Sequence, residues 1–224
     1  APIAKGETVY TINAQDLLII GRLMQKGIVD MQRLVALTGP LAAAHAYFNV
    51  LPGMPMSAIL KSNVRQDVET RIVEGNVLSG HKAEADEIIE PACNQITIIA
   101  EGTDARDFMG WIMPRFENFS VANAIAGTFL AKLGKKNFQF DARLLGGRRA
   151  IITSGEYERV FPMDIYPEYL LKAMIAGNLD KMEALGAYEV APEDFALCEF
   201  VCTSKMPLQA IVRQALDNMK SELE

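Results

Sequence analysis

Residues 7–38 constrain this chain more than any other stretch, because they read as strand, helix, strand. ETVYTI (7–12) is β-branched and aromatic, the composition of a pleated strand. Asn13 follows as a helix N-cap, with Asp16 three residues later as a shorter-armed capping box. Leu17, Ile20, Leu23 and Met24 recur at helical spacing, which predicts a buried face, and Gly27 ends the helix. Residues 33–38 are a second β run, stopped by Gly39 and Pro40. Two strands joined by a helix of this length predict one right-handed crossover of a parallel sheet. Parallel strands need neighbours and cover on both faces, and two strands supply neither. Residues 1–44 therefore read as the end of a larger doubly wound domain, with apolar surface exposed where its other strands are missing.

The texture changes after residue 44. Residues 47–50, 69–73 and 95–100 read as strands, with GNVLSG (75–80) between the second and third, and 55–61 as a short helix opened by Pro55. Short strands around one helix, with glycines at the corners, predict a small β-grasp module over 45–104. The stretch 82–90 is acidic and reads as a surface excursion. Residues 105–162 read as a connector: an apolar patch around Trp111, a helix from Ser120 to Leu133, and an antiparallel hairpin of 138–140 with 149–152 through Gly146 and Gly147. Trp111 is the only tryptophan. Most buried tryptophans are packing anchors, and a docking surface is the alternative.

The carboxyl end, 163–224, predicts a helical cluster. Runs at 166–176 and 178–185 are closed by Gly177 and Gly186, a third begins at Pro192, and 207–223 is amphipathic. Before it lies a loop of polar handles, with Glu156, Tyr157, Glu158 and Arg159 beside Pro162. Tyr157 and Arg159 are interface-prone types, so a protein or ligand contact is one reading and a solvated turn with internal ion pairs the other.

Composition narrows the function. Half of the 224 residues are hydrophobic, which suits a packed core. A net charge of −6 and a pI near 5.1 argue against nucleic acid, since no Lys/Arg stripe exists to engage phosphates. Three cysteines are not a disulfide framework, the longest apolar runs are too short to span a bilayer, and no signal peptide is visible. The start at Ala1-Pro2 looks like a cut in a longer protein.

Cys198 and Cys202 are four apart on a predicted helix, so both thiols share one face. Two soft donors there could take part in metal or iron–sulfur binding, but the second pair that such sites require is missing. Two small buried residues in a helix interface is the simpler reading. No P-loop or GxGxxG is present, and neither histidine is near a nucleophile in sequence, so nucleotide and triad chemistry lack support.

Six blocks in order do resemble a family: TINAQD (11–16), RLVALTGP (33–40), GNVLSG (75–80), GWIMP (110–114), GEYERVFPMD (155–164) and EDFALCEFVC (193–202). Together they are similar to the carboxyl-terminal half of the NqrA family, which forms one subunit type of the Na+-translocating NADH:quinone reductase. The resemblance implies a partial Rossmann-like unit, an SLBB-type β-grasp domain and a helical end. It further implies a peripheral protein on the cytoplasmic face of the bacterial inner membrane, docked to the membrane-embedded NqrB protein. The complex so formed passes electrons from NADH to ubiquinone and exports Na+. Flavin, NADH and iron–sulfur belong to partner subunits on this reading, ubiquinone approaches the full NqrA protein, and this chain binds no cofactor. Cys198 and Cys202 then look like the vestige of a cluster-binding end. The sequence departs from the family at Thr203-Ser204, where Pro-Gly is usual. The residues near quinone would fall largely outside this half, so no quinone ligand is transferred. A stand-alone ligand-binding module built on the β-grasp domain is the rival reading.

Overall fold

The structure is a computed structural model that describes residues 3, 6–65, 67–103, 119–121, 138 and 140–223. The chain divides into two compact units, Thr11–Arg143 and Leu144–Glu224 with Ala1–Tyr10.

Helix α1 (Ala14–Lys26) opens the first unit, and its ends obey local rules. Asn13 Oδ1 accepts the Gln15 N–H at 3.0 Å, and Gly27 closes the helix at φ 69°, where its N–H reaches the Leu23 carbonyl. A mixed sheet follows, made of β1 (Arg33–Thr38), β2 (Ala46–Val50), β3 (Thr70–Glu74), β4 (His81–Ala83) and β5 (Gln95–Ala100). The strand order is β2-β1-β5-β3-β4. β1 is antiparallel to β2 and parallel to β5, while β3 is antiparallel to both β5 and β4. Alternate residues of β1 and β5 (Val35, Leu37, Ile96, Ile98) turn to one core. Met56, Ile59 and Leu60, on and beside the short helix α2 (Ser57–Leu60), close over it with Ala83, Ile89 and Cys93.

The crossover expected at the amino end is not formed. Residues 7–12 carry no strand, and the parallel neighbour of β1 is β5 from far downstream. A strand needs a free edge to pair with, and both edges of β1 are taken by β2 and β5. Asp16 also differs from expectation: it turns to the guanidinium of Arg33, which is only 5% exposed. The expected buried face of α1 is exposed, with Leu17, Ile20 and Leu23 all more than 40% accessible and Met24 84%. Residue 44, expected to end the first domain, lies between two strands of the same sheet.

The stretch 82–90 is also more than a surface excursion, since Ala83 lies in β4 and Ile89 is 1% exposed. Acidic neighbours hide the two apolar anchors in the sequence. The hairpin expected over 138–152 is not formed at 149–152, which has no strand. There the backbone is engaged by Ser204 instead: the Arg149 N–H donates to the Ser204 carbonyl and Ser204 Oγ to the Ala150 carbonyl, both at 2.9 Å. Trp111 and nearly all of the helix expected over 120–133 lie outside the described residues.

In the second unit the helical cluster is as read. It contains α3 (Pro167–Ile175), α4 (Leu179–Ala184), 3-10 turns at Ala187–Glu189 and Pro192–Phe195, α5 (Ala196–Val201) and α6 (Leu208–Leu223). Asn178 caps α4 through its side chain, and Gly177 and Gly186 take positive φ at the breaks. Leu208, Val212, Ala215 and Met219 form a helical stripe on α6 buried against Leu170, Leu171, Met174 and Phe195. Thr203-Ser204 sits in a turn in which the Lys205 N–H donates to the Cys202 carbonyl at 3.2 Å, and Lys205 adopts φ 51°. That is a conformation favouring glycine, borne here by a lysine.

Candidate functional site

Of the residues singled out in the sequence, the fold brings three together in the second unit. Tyr157 lies in the loop before α3 and is 3% exposed; Cys198 on α5 and Cys202 just past its end are fully buried. The Tyr157 hydroxyl is 2.9 Å from Cys202 Sγ, and the Cys198 thiol donates to the Tyr157 carbonyl at 3.8 Å. That carbonyl also accepts the N–H groups of Val160 and Phe161, so the loop folds over the cysteines. Tyr157 therefore faces the core and offers no surface to a partner in this conformation. Arg159, two residues on, is exposed. The difference follows from the side chains: a phenol can enter a core if its hydroxyl finds a partner, and a guanidinium there would need a carboxylate.

Cys198 and Cys202 are both free thiols, as is Cys93 in the core of the first unit. The thiolate is the form that attacks and that ligates metal. Burial pushes the Cys198 thiol up to about 12, helped by the nearby Glu158 carboxylate and by the proximity of Cys202. Burial likewise raises Cys93 to about 12, with the adjacent Glu74 carboxylate adding to it. Burial and the Cys202 contact push the Tyr157 phenol upward too. The group is a buried, hydrogen-bonded packing cluster, and its two sulfurs are half of the donor set a zinc or cluster site needs.

The burial of all three thiols sets an expected result. Ellman's reagent should modify none of the three thiols of the native chain rapidly and all three in guanidinium; a fast-reacting native thiol would contradict the burial. Because the folded Cys93 and Cys198 thiols titrate above their ordinary value of 9.0, the stability gained by keeping these two neutral is present below about pH 9 and is lost as pH rises toward 12. A urea midpoint that falls over that alkaline range is the expected reading.

Two residues that position this cluster were not legible in the sequence. Glu168, in the first turn of α3, is 1% exposed, and its carboxylate accepts the Ser154 N–H and the Gly155 N–H at 2.9 Å and Ser154 Oγ at 3.1 Å. Glu199 lies between the cysteines and accepts the Gln209 N–H at 2.9 Å, capping α6 from another helix. Acidic residues early in a helix read as surface groups on the dipole, and nothing in the local sequence marks these as clamps.

Comparison with known proteins gives this architecture its relatives. A family model of the SLBB type, described as the NQRA C-terminal domain, matches residues 34–85, which run from β1 past β4. NqrA of Pasteurella multocida, a component of Na(+)-translocating NADH-quinone reductase, is 37% identical over 222 residues, 99% of this chain and 48% of that protein. The chain is a homologue of NqrA. The NqrA proteins of Mannheimia succiniciproducens and Neisseria meningitidis are 38% and 36% identical over the same share of this chain. The chain spans about half the length of these NqrA relatives. The SLBB match begins within β1, in keeping with a sheet that includes that strand. Among the described residues no helix is long and apolar enough to cross a membrane.

Proposed function

We propose that this chain acts as part of an NqrA protein in a Na+-translocating NADH:quinone reductase, in an assembly role with no electron chemistry of its own. The observation that carries the proposal is 37% identity over 222 residues to a protein of that name. In this reading the chain is peripheral, sits on the cytoplasmic face of the bacterial inner membrane and docks to the membrane-embedded NqrB protein. Flavin, NADH and iron–sulfur are held by partner subunits, and ubiquinone approaches NqrA without being reduced by this chain's groups. The burial of all three thiols, with Cys93 and Cys198 held well above their ordinary value, supports that assignment, because buried thiols are poor ligands and poor nucleophiles.

The relatives are about twice as long, and the exposed apolar face of α1 suits cover by the further part of NqrA, as an end to a Rossmann-like region. Arg159 and Trp111 remain contact candidates toward other subunits. Affinity-tagging the chain in its host and purifying from membranes tests the proposal. The expected result is recovery in constant ratio with the membrane subunits and with Na+-dependent quinone reductase activity. Recovery of the chain free of them, with saturable binding of a short-chain quinone to the chain alone, would replace the proposal with the ligand-binding module.

A further inference from the structure

We propose that Glu74, His81 and Glu90 form a binding site for a divalent transition-metal cation, with Zn2+ the best match. Their ligand atoms (two carboxylate oxygens and an imidazole nitrogen) lie within 4.8 Å of one another. This rests on the geometry of the first unit alone and is independent of the role proposed above.

The backbone builds the site from three directions. Glu74 ends β3 and His81 begins β4, and the two are direct partners in the antiparallel register, so their side chains leave the same face. The loop GNVLSG holds that register. Asn76 Oδ1 accepts the N–H groups of Leu78 and Ser79 at 2.8 and 3.1 Å, and the Gly80 N–H donates to the Asn76 carbonyl at 2.8 Å. A Cβ on Gly80 would stand 2.5 Å from the Glu74 carbonyl oxygen, so only glycine lets the chain return this closely. Glu90 is delivered by its neighbour Ile89, which is 1% exposed and exchanges backbone hydrogen bonds with Gly53 and Met54. The Glu90 N–H then donates to Glu74 Oε1 at 2.9 Å, orienting the carboxylate from behind as outer partners orient metal ligands.

Charge supplies the second argument. Glu74 is 5% exposed, and a buried carboxylate is costly unless hydrogen bonds, a positive charge or a metal ion offset the lost hydration. Its donors here are the Glu90 N–H and the Cys93 thiol, so Oε2 toward His81 is left to a cation. Among the described residues no lysine or arginine pairs with Glu74 or Glu90; Lys82 beside them engages Glu84. The one basic group at hand is His81, whose Nε2 stands 3.7 Å from Glu74 Oε2, beyond hydrogen-bond distance. A cation between these atoms would neutralise both carboxylates and take neutral Nε2 as a donor. One imidazole and two carboxylates are three zinc ligands, with bonds of about 2.0–2.2 Å, and they leave a fourth position for water. Imidazole in the set favours Zn2+ over Mg2+ or Ca2+, which prefer all-oxygen sites. His81 and Glu90 are exposed, which gives an ion access and lets both side chains close the remaining gap.

The test is titration calorimetry of the purified chain with ZnCl2, with MgCl2 as control, and imidazole 1H–15N spectra. The chain has two histidines, His81 here and His45, whose Nε2 lies 3.0 Å from the Gly39 carbonyl, so the spectrum resolves the site directly. The expected result is one Zn2+ per chain with a Kd on the order of micromolar or tighter, and zinc-dependent movement of the His81 signals alone. His81→Ala and Glu90→Gln each alter an exposed side chain and should weaken binding about tenfold or more. No saturable binding, movement of His45 instead, or zinc affinity unchanged in both variants would overturn the proposal.

Discussion

Gly39→Ala is expected to lower the unfolding temperature of the sheet unit by about 10 °C, from a loss of roughly 3 kcal/mol or more. Gly39 leaves β1 at φ 103°, and a Cβ there would lie 2.1 Å from the Ile98 carbonyl oxygen and 2.6 Å from the Ile98 nitrogen. Both obstacles are backbone of the central strand β5, so no rotamer change relieves them. The strand would have to shift, and with it Ile96 and Ile98, which are fully buried. Gly27→Ala is the matched control. It also sits at positive φ, 69°, but has nothing within 4 Å, so it should cost only about 1–2 kcal/mol for the left-handed conformation. Thermal melts of the two variants by circular dichroism separate steric overlap from backbone preference. Equal losses would show that the close approach to β5 is not what Gly39 serves.

Glu168→Ala is expected to destabilise the helical unit by about 3 kcal/mol, read as a shift in the urea midpoint without a change in slope. Its carboxylate holds two backbone N–H groups and a hydroxyl, all near 3 Å, and removal leaves those donors facing a space with no acceptor. The loop so released is the one that carries Tyr157 over Cys202. Protease nicking near residues 153–156 and faster thiol modification in the variant should therefore accompany the loss of stability. A midpoint within experimental error of the parent, with the thiols still protected, would mean that the loop is held by the Tyr157 contacts alone.

Where a structural feature depends on neighbours in the chain, its sequence was sufficient. Asn13 and Gly27 bound α1, Gly177 and Gly186 break the carboxyl-terminal helices, and the periodic stripe on 207–223 finds the core. The spacing of Cys198 and Cys202 placed both thiols in one environment. The strand pairing was not legible. Local patterning makes β1 half of a crossover with residues 7–12, whereas its register is set by Leu37 opposite Ile96 and by Val35 opposite Phe48. Nothing within reach of a local window distinguishes those partners from residues 7–12, which have a comparable β-branched composition.

The candidate site divides in the same way. Polar neighbours leave Tyr157 open to a partner contact or a solvated turn, whereas in the folded unit it is buried with its hydroxyl 2.9 Å from Cys202 Sγ. Glu74, His81 and Glu90 are separated by a loop and a strand, and none attracts notice where it stands in the chain. By itself the sequence determined α1 and the carboxyl-terminal helices, the Asn13 cap, the glycine ends and the similarity to NqrA, because each is written in adjacent residues or in their order. The tertiary structure alone decided which strands pair, which carboxylates are buried and which donors converge, because those depend on contacts across long sequence separations that local propensity does not encode.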